Sequence, residues 1–225
     1  MKTALVTGAS RGLGEALVDA LVARGVRVAG VARDAVALER IRARHGAAFV
    51  PIAADVGEPG AAARVAGAAL GALGSLDLLV HNASALGPVP LRPLLEVGED
   101  DLLDVLRTNL VGPHALTLRL VGAMALRGAG TVVGISSDAA VEHYPGWGVY
   151  GASKAAQDHL FGTLAAEQPD LRFITVDPGE MDTTMHADAI PEADPATLRR
   201  PADVARALLD HLDVAGSGRA ALEVA

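Results

Sequence analysis

Residues 3–14 read TALVTGASRGLG. An uncharged apolar run leads straight into three glycines, Gly8, Gly12 and Gly14, with Arg11 standing among them. Glycine adopts positive φ and has no Cβ to hold a ligand away. A helix that follows such a loop offers free N–H groups and the positive end of its dipole, and together these bind phosphate. The same glycines would also serve a tight strand-to-helix turn with nothing bound. Context separates the two readings. The loop follows the first strand of an alternating α/β chain, and that placement points to a dinucleotide.

The alternation runs through the whole chain. Apolar runs at 3–7, 26–32, 48–52, 76–81, 131–136, 171–176 and 219–224 predict seven strands. Most are apolar along their full length, as strands buried on both faces of a parallel sheet are. Segments with helical periodicity at 15–24, 35–44, 61–73, 100–127, 151–167 and 201–212 predict the helices between them. The expected fold is α/β: a Rossmann-type doubly wound, seven-stranded parallel sheet with helices on both faces. With neither linker nor repeat, residues 1–225 are expected to form one domain. The Pro-bearing stretches 87–93 and 185–201 read as loops at the carboxyl edge of the sheet, where ligands bind. Residues 181–200 are expected to form a lid over the substrate.

Composition narrows the partners. Hydrophobic residues make up 51% of the chain but aromatics only 3%, so the core must be built from Ala, Val and Leu. A net charge of −8, with no run of like charges, argues against nucleic acid. The lack of cysteine excludes disulfides, thiolate catalysis and zinc–thiolate sites. The histidines show no metal-ligand spacing, and no metal is expected. The N-terminus, MKTALVTGAS, has no apolar stretch long enough for a signal peptide, and no uninterrupted apolar run is long enough to cross a membrane, so a soluble, cytoplasmic protein without a membrane partner is expected.

The end of the second strand bears on which dinucleotide is bound. NAD-binding chains place an acid there to accept from the ribose 2′-OH. Here that position is near Ala32, and Arg33 follows it. Arg11 and Arg33 can flank a 2′-phosphate, for which the guanidinium fork is suited. Asp34, 20 residues past Gly14, lies close to the spacing of the NAD acid. The reading favours NADP(H) over NAD(H), and a slip of one or two residues would reverse it.

A second constellation reads YGASK, residues 150–154. Tyr150 and Lys154 share one helical face. A phenol is a poor acid or base at neutral pH, and an adjacent ammonium favours its ionised form. That is one way to make tyrosine a general acid or base. The pair alone is common. It is accompanied by Ser137 in GISSDAA (134–140), Asn109 in RTNL (107–110), HNAS (81–84) and DPG (177–179).

Together these motifs resemble the short-chain dehydrogenase/reductase family over residues 3 to about 184. The resemblance implies that Gly8, Gly12 and Gly14 are the cofactor-loop glycines, with Ser10, Arg11 and Leu13 beside them. It implies that Asp55 in AADV, next to Val56, holds the adenine amino group. Asn82, with Ala83, matches the asparagine that stabilises the sheet beside the cofactor. Asn109, Ser137, Tyr150 and Lys154 match the catalytic tetrad. Pro178, Gly179 and Thr183, with Met181, match the segment that clasps the nicotinamide carboxamide.

The implied reaction is hydride transfer at a carbonyl. In it Tyr150 exchanges the proton, Ser137 bonds the same oxygen, Lys154 binds the ribose and lowers the tyrosine pKa, and Asn109 holds a relay water. The chain departs from the usual N-N-A-G in having His81 and Ser84, and Glu180 follows Pro178-Gly179 where small or apolar residues are more usual.

The loop between Ser137 and Tyr150 must line the substrate side. His143, Tyr144 and Trp147 lie in it, and with Met185 from the lid they are the candidate substrate residues. Aromatics there suggest an apolar or ring-bearing carbonyl substrate. The expected activity is NADP(H)-dependent reduction of a ketone, aldehyde or diketone. The alternatives are a dehydrogenase working in the oxidative direction and a non-catalytic NADP(H)-binding regulator. A homo-oligomer is expected, a dimer through helices 100–127 and 151–167 rather than a tetramer.

Overall fold

The computed structural model describes residues 1–222. Its strands are β1 (Thr3–Thr7), β2 (Arg27–Ala32), β3 (Phe49–Ala53), β4 (Leu78–His81), β5 (Thr131–Ile135), β6 (Arg172–Asp177) and β7 (Gly218–Ala221). All pair in parallel, in the order β3-β2-β1-β4-β5-β6-β7. The helices are α1 (Gly12–Ala23), α2 (Ala35–His45), α3 (Ala61–Leu73), α4 (Glu99–Leu106), α5 (Gly112–Ala125), α6 (Gly148–Glu167), α7 (Thr184–Ala189) and α8 (Pro201–Val214).

Strand periodicity divides the core in two. In β1, Ala4 and Val6 point to the face covered by α1, α2 and α8, where Leu17, Leu38 and Leu208 pack. Leu5 points the other way, towards α3, α5 and α6, where Val65, Leu120 and Phe161 pack. Both faces being covered, β1, β4 and β5 are buried from end to end, as their largely apolar sequences, free of Asp, Glu, Lys and Arg, require. Pro51, which has no N–H to give a ladder, lies in β3 at the sheet edge, where that loss is tolerated.

Several boundaries differ from the sequence expectation. Helix α1 begins at Gly12 and α6 at Gly148, three residues earlier than their apolar patterns suggest, because helical geometry extends into glycine-bearing first turns. The expected helix 100–127 is broken by a π-helical turn at Arg107–Val111, between α4 and α5. The stretch 185–201 carries a short helix, α7. The expected last strand reached 224, and its final two residues lie outside the described part of the chain.

The strand order places the site. The chain runs outward from β1 to β3, then crosses back to lay β4 on the other side of β1. At that reversal the loops after β1 and β4 diverge and leave a crevice at the carboxyl edge.

Candidate active site

A cavity of about 700 Å³ opens at that edge. Gly8 ends β1 at its floor with φ +68°, and a Cβ there would come within 2.7 Å of Asn82 Nδ2 and 2.9 Å of the Ala83 backbone. Gly14 is held closer still: a Cβ on it would lie 2.1 Å from the Gly8 carbonyl oxygen. The loop therefore folds only with glycine at both positions. No side chain caps α1 at Arg11, so its N-terminal amides remain available to a ligand. Asn82 fastens the loop from β4, donating through Nδ2 to Thr7 O at 2.9 Å and Gly8 O at 3.2 Å. These features fit a dinucleotide, whose pyrophosphate needs close backbone approach.

The structure brings most of the sequence-derived positions to this one cavity. Gly8, Ser10, Arg11, Gly12, Leu13, Arg33, Asp55, Val56, Asn82 and Ala83 line one end. Ser137, Tyr150, Lys154, Pro178, Gly179, Met181 and Thr183 line the other, with Tyr144, Trp147 and Met185. Gly14, Asn109 and His143 do not line it. Gly14 supports the loop from beneath, and Asn109 is fully buried behind the wall. His143, expected among the substrate residues, is exposed outside the lining. The loop is turned by its neighbour Tyr144, whose Oη donates to Asp138 Oδ2 at 3.0 Å.

Asp34 is engaged locally. Its carboxylate caps α2, accepting from Ala37 N at 2.9 Å. Arg33 is free of the sheet, with 79% of its side chain exposed, and its nearest anion is Asp55 Oδ2 at 3.8 Å. Asp55 Oδ1 accepts from Gly57 N at 2.8 Å and so turns the chain after β3.

Tyr150 and Lys154 lie one turn apart near the start of α6, and both are buried. The lysine Nζ donates to Ile135 O at 2.7 Å and lies 5.5 Å from the phenol ring centre. Burial lowers its pKa to about 8, with the Asp158 carboxylate acting in the opposite sense. Burial likewise pushes the Tyr150 phenol up to about 12; the Ser137 and Ser84 hydroxyls lower it, and Asp177 and Asp138 raise it. Desolvation dominates the phenol, and the groups that lower it are the Ser137 and Ser84 hydroxyls rather than Lys154. Trp147 meets Tyr150 edge to face at 5.6 Å.

Ser137 Oγ donates to Asp138 Oδ1 at 2.9 Å and accepts from Ala139 N at 3.2 Å. Asn109 sits in the π turn, which swings its side chain inward. Its Oδ1 accepts from Ala85 N at 2.7 Å and Ser84 Oγ at 3.2 Å, and its Nδ2 donates to Ala85 O and Ser153 Oγ, both at 2.9 Å. Protein groups therefore take up the whole Asn109 amide, and its main-chain oxygen accepts from Gln157 Nε2 at 3.1 Å.

Sequence reasoning noted Ser84 only as a departure from glycine and left its partners unread. It also gave no role to Gln157 or Asp158, whose pairings join strands and helices distant in the chain, nor to Asp138, which bonds within its own loop. His81 replaces the first asparagine of the usual motif. It is buried, pairs with Thr117 Oγ1 at 2.9 Å, and is held neutral by desolvation and by Lys154, with its pKa lowered to about 3.

The comparisons agree with this geometry. The short chain dehydrogenase family model matches residues 2–194. The chain belongs to the short-chain dehydrogenase family. It is similar to a benzil reductase ((S)-benzoin forming) from Saccharomyces cerevisiae, 34% identical over 197 residues, 83% of this chain and 74% of that protein. It is also similar to a sepiapterin reductase from Xenopus tropicalis, 32% identical over 209 residues, 87% of this chain and 80% of that one. A short-chain dehydrogenase structure from Streptomyces avermitilis superposes with a TM-score of 0.89 at 32% identity, covering 99% of this chain and 88% of the other. The protein is accordingly an oxidoreductase of the NAD(P)-dependent kind, with a seven-stranded parallel Rossmann-type sheet. Among the described residues no helix is long and apolar enough to cross a membrane.

Proposed function

We propose that this short-chain dehydrogenase reduces a carbonyl compound to an alcohol with NADPH, with Tyr150 as the general acid. The observation that carries the reading is the convergence of Ser137, Tyr150 and Lys154 on the cavity whose far end is the glycine loop. Resemblance to a benzil reductase and a sepiapterin reductase supports the carbonyl class. The cofactor would supply the hydride when bound. Gly8, Gly12 and the N-terminus of α1 would hold its pyrophosphate, and Asp55 its adenine end. Arg11 and Arg33 would take a 2′-phosphate. Support for that preference comes from Asp34, whose carboxylate serves as the cap of α2.

The chain's own residues account for the proton. A phenol held near 12 keeps its proton at neutral pH and has it available for a developing alkoxide. The Ser137 hydroxyl stands beside it to bond the same oxygen, with Asp138 fixing its rotamer. Lys154, charged below about 8, stands against the phenol ring and would present its ammonium to the cofactor ribose. Trp147 and Tyr144 would offer apolar faces to the substrate, and residues 181–200, which carry α7, would cover it.

Tyr150→Phe removes the proton donor and leaves the ring and its packing against Trp147. It is expected to lower turnover by about 10³-fold or more on a panel of ketones, aldehydes and diketones, with NADPH binding retained. Turnover in the variant comparable to the wild type would refute the assignment.

A further inference from the structure

Arg219 stands on β7, in register with Thr175 of β6. Its Nε donates to Asp158 Oδ2 at 3.0 Å, and its Nη2 donates to the main-chain oxygen of Ser137 at 3.0 Å. The same guanidinium lies 3.8 Å from Asp177 Oδ2. Asp177 ends β6, and its Oδ1 accepts from Gly179 N at 3.0 Å. One planar cation thus touches both the serine loop after β5 and the Pro178-Gly179 loop after β6. Asp158 accepts a second bond on Oδ2, from Ser136 Oγ at 2.8 Å. Its Oδ1 is buried and has no hydrogen-bond partner among the described residues.

Asp158 follows Lys154 by four residues in α6, so the two side chains share a face. Lys154 is 1% exposed, and the hydrogen-bond acceptor of its Nζ is a neutral carbonyl. A buried ammonium needs a compensating charge or loses its proton. The titratable groups facing it are Tyr150 and Asp158 from α6 and His81 from β4. Asp177 and Asp138 face Tyr150, and Arg219 lies behind Asp158. His81 is neutral, so Asp158 is the anion that opposes desolvation of the lysine.

We propose that Arg219 and Asp158 are positioning residues of the hydride-transfer site: the arginine ties the Ser137 backbone to Asp177, and the carboxylate stands as counter-charge to Lys154. The inference rests on the reading of Tyr150 and Lys154 as the proton-transfer pair. Arginine suits the task because its fork reaches two acceptors in one plane, which a lysine cannot do. Arg219 and Ser136 both bond Oδ2 of Asp158, which fixes the carboxylate on the helix face it shares with Lys154, and its buried Oδ1 has no hydrogen-bond donor among the described residues.

The chain contains two lysines, Lys2 and Lys154, and Lys2 is exposed. A sample carrying ¹³Cε-lysine therefore gives two titrating resonances, one of them an internal reference. Asp158→Asn keeps an acceptor for Ser136 and Arg219 but removes the charge. Lys154 is expected to titrate about one pH unit lower than in the wild type, with Lys2 unmoved. The alkaline limb of carbonyl reduction should move down with it, and Asp158→Glu should restore both.

Arg219→Lys keeps a cation for Asp158 and loses the bond to Ser137. It is expected to lower kcat about tenfold while KM for the cofactor stays nearly constant. An unmoved Lys154 resonance in folded Asp158→Asn would overturn the counter-charge, and an unchanged kcat in Arg219→Lys would overturn the positioning. Should Asp158→Asn not fold, Asp158→Ser, read by the same Lys154 resonance, decides the counter-charge. If the wild type turns over no carbonyl yet Lys154 shifts as expected, the proposed activity fails and the electrostatic pairing stands.

Discussion

Asn109→Ala tests what holds the wall of the active site. The wild-type amide makes four hydrogen bonds, two of them to the backbone of Ala85 and the others to the hydroxyls of Ser84 and Ser153. Alanine removes all four. Ser153 keeps its bond to Tyr150 O, at 2.6 Å, and the Ser84 hydroxyl can rotate. The N–H and C=O of Ala85 cannot rotate, and both are left unpaired beside a fully buried position. Each unsatisfied group costs about 1–3 kcal/mol, and the partial access of Ala85 to water places the sum near the lower end, at about 3 kcal/mol. For a chain of this size that corresponds to a fall in Tm of about 6–12 °C. Urea unfolding followed by circular dichroism reads the free energy directly, and m should not change, since the surface exposed on unfolding is nearly the same. A loss under about 1 kcal/mol, the cost of an average substitution, would refute the view that this amide fastens the 84–85 loop to the π turn.

Two further outcomes follow from the charges. His81 has its pKa lowered from 6.5 to about 3, so between those values the unfolded chain binds a proton that the folded chain does not. The stability it confers is complete above pH 6.5 and is lost as the pH falls towards 3. The slope is about 1.4 kcal/mol per unit, or about 2 kcal/mol between pH 6.5 and 5. His81→Asn should flatten the pH dependence of unfolding over that range, and an equal slope in the two proteins would contradict the buried neutral imidazole. Arg33→Asp should shift the ratio of NADPH to NADH affinity by about 10-fold or more towards NADH, as a phosphate partner becomes a repelling carboxylate. Titration of both cofactors by fluorescence measures this, and an unchanged ratio would mean that Arg33 does not read the 2′-phosphate.

The legibility of the fold came from burial. A parallel sheet covered on both faces needs strands apolar throughout, and β1, β4 and β5 announce themselves in that way. The glycine loop was legible for a related reason, since Gly8 and Gly14 sit where a Cβ would collide with backbone. Helix 100–127 was misread as continuous because its periodicity carries no sign of the extra residue accommodated at Arg107–Val111. That residue is recruited by partners outside the helix: Ala85 from the loop after β4, and Ser153 and Gln157 from α6. His143 lies outside the cavity lining, in a loop whose next residue, Tyr144, is bonded to Asp138 and does line the cavity.

The sequence by itself determined the alternation of strand and helix, the glycine loop and the spacing of Ser137, Tyr150 and Lys154, because each is enforced by residues close together in the chain. Only the tertiary structure decided the state of those groups. The phenol at about 12 and the lysine at about 8 are products of desolvation, which depends on every element packed around them. The same holds for Asp34, whose carboxylate stood at the spacing of a ribose ligand and serves as the cap of α2. It holds too for Arg219, the first residue of the expected last strand, which reaches the main-chain oxygen of Ser137 because β7 lies beside β6 in the sheet.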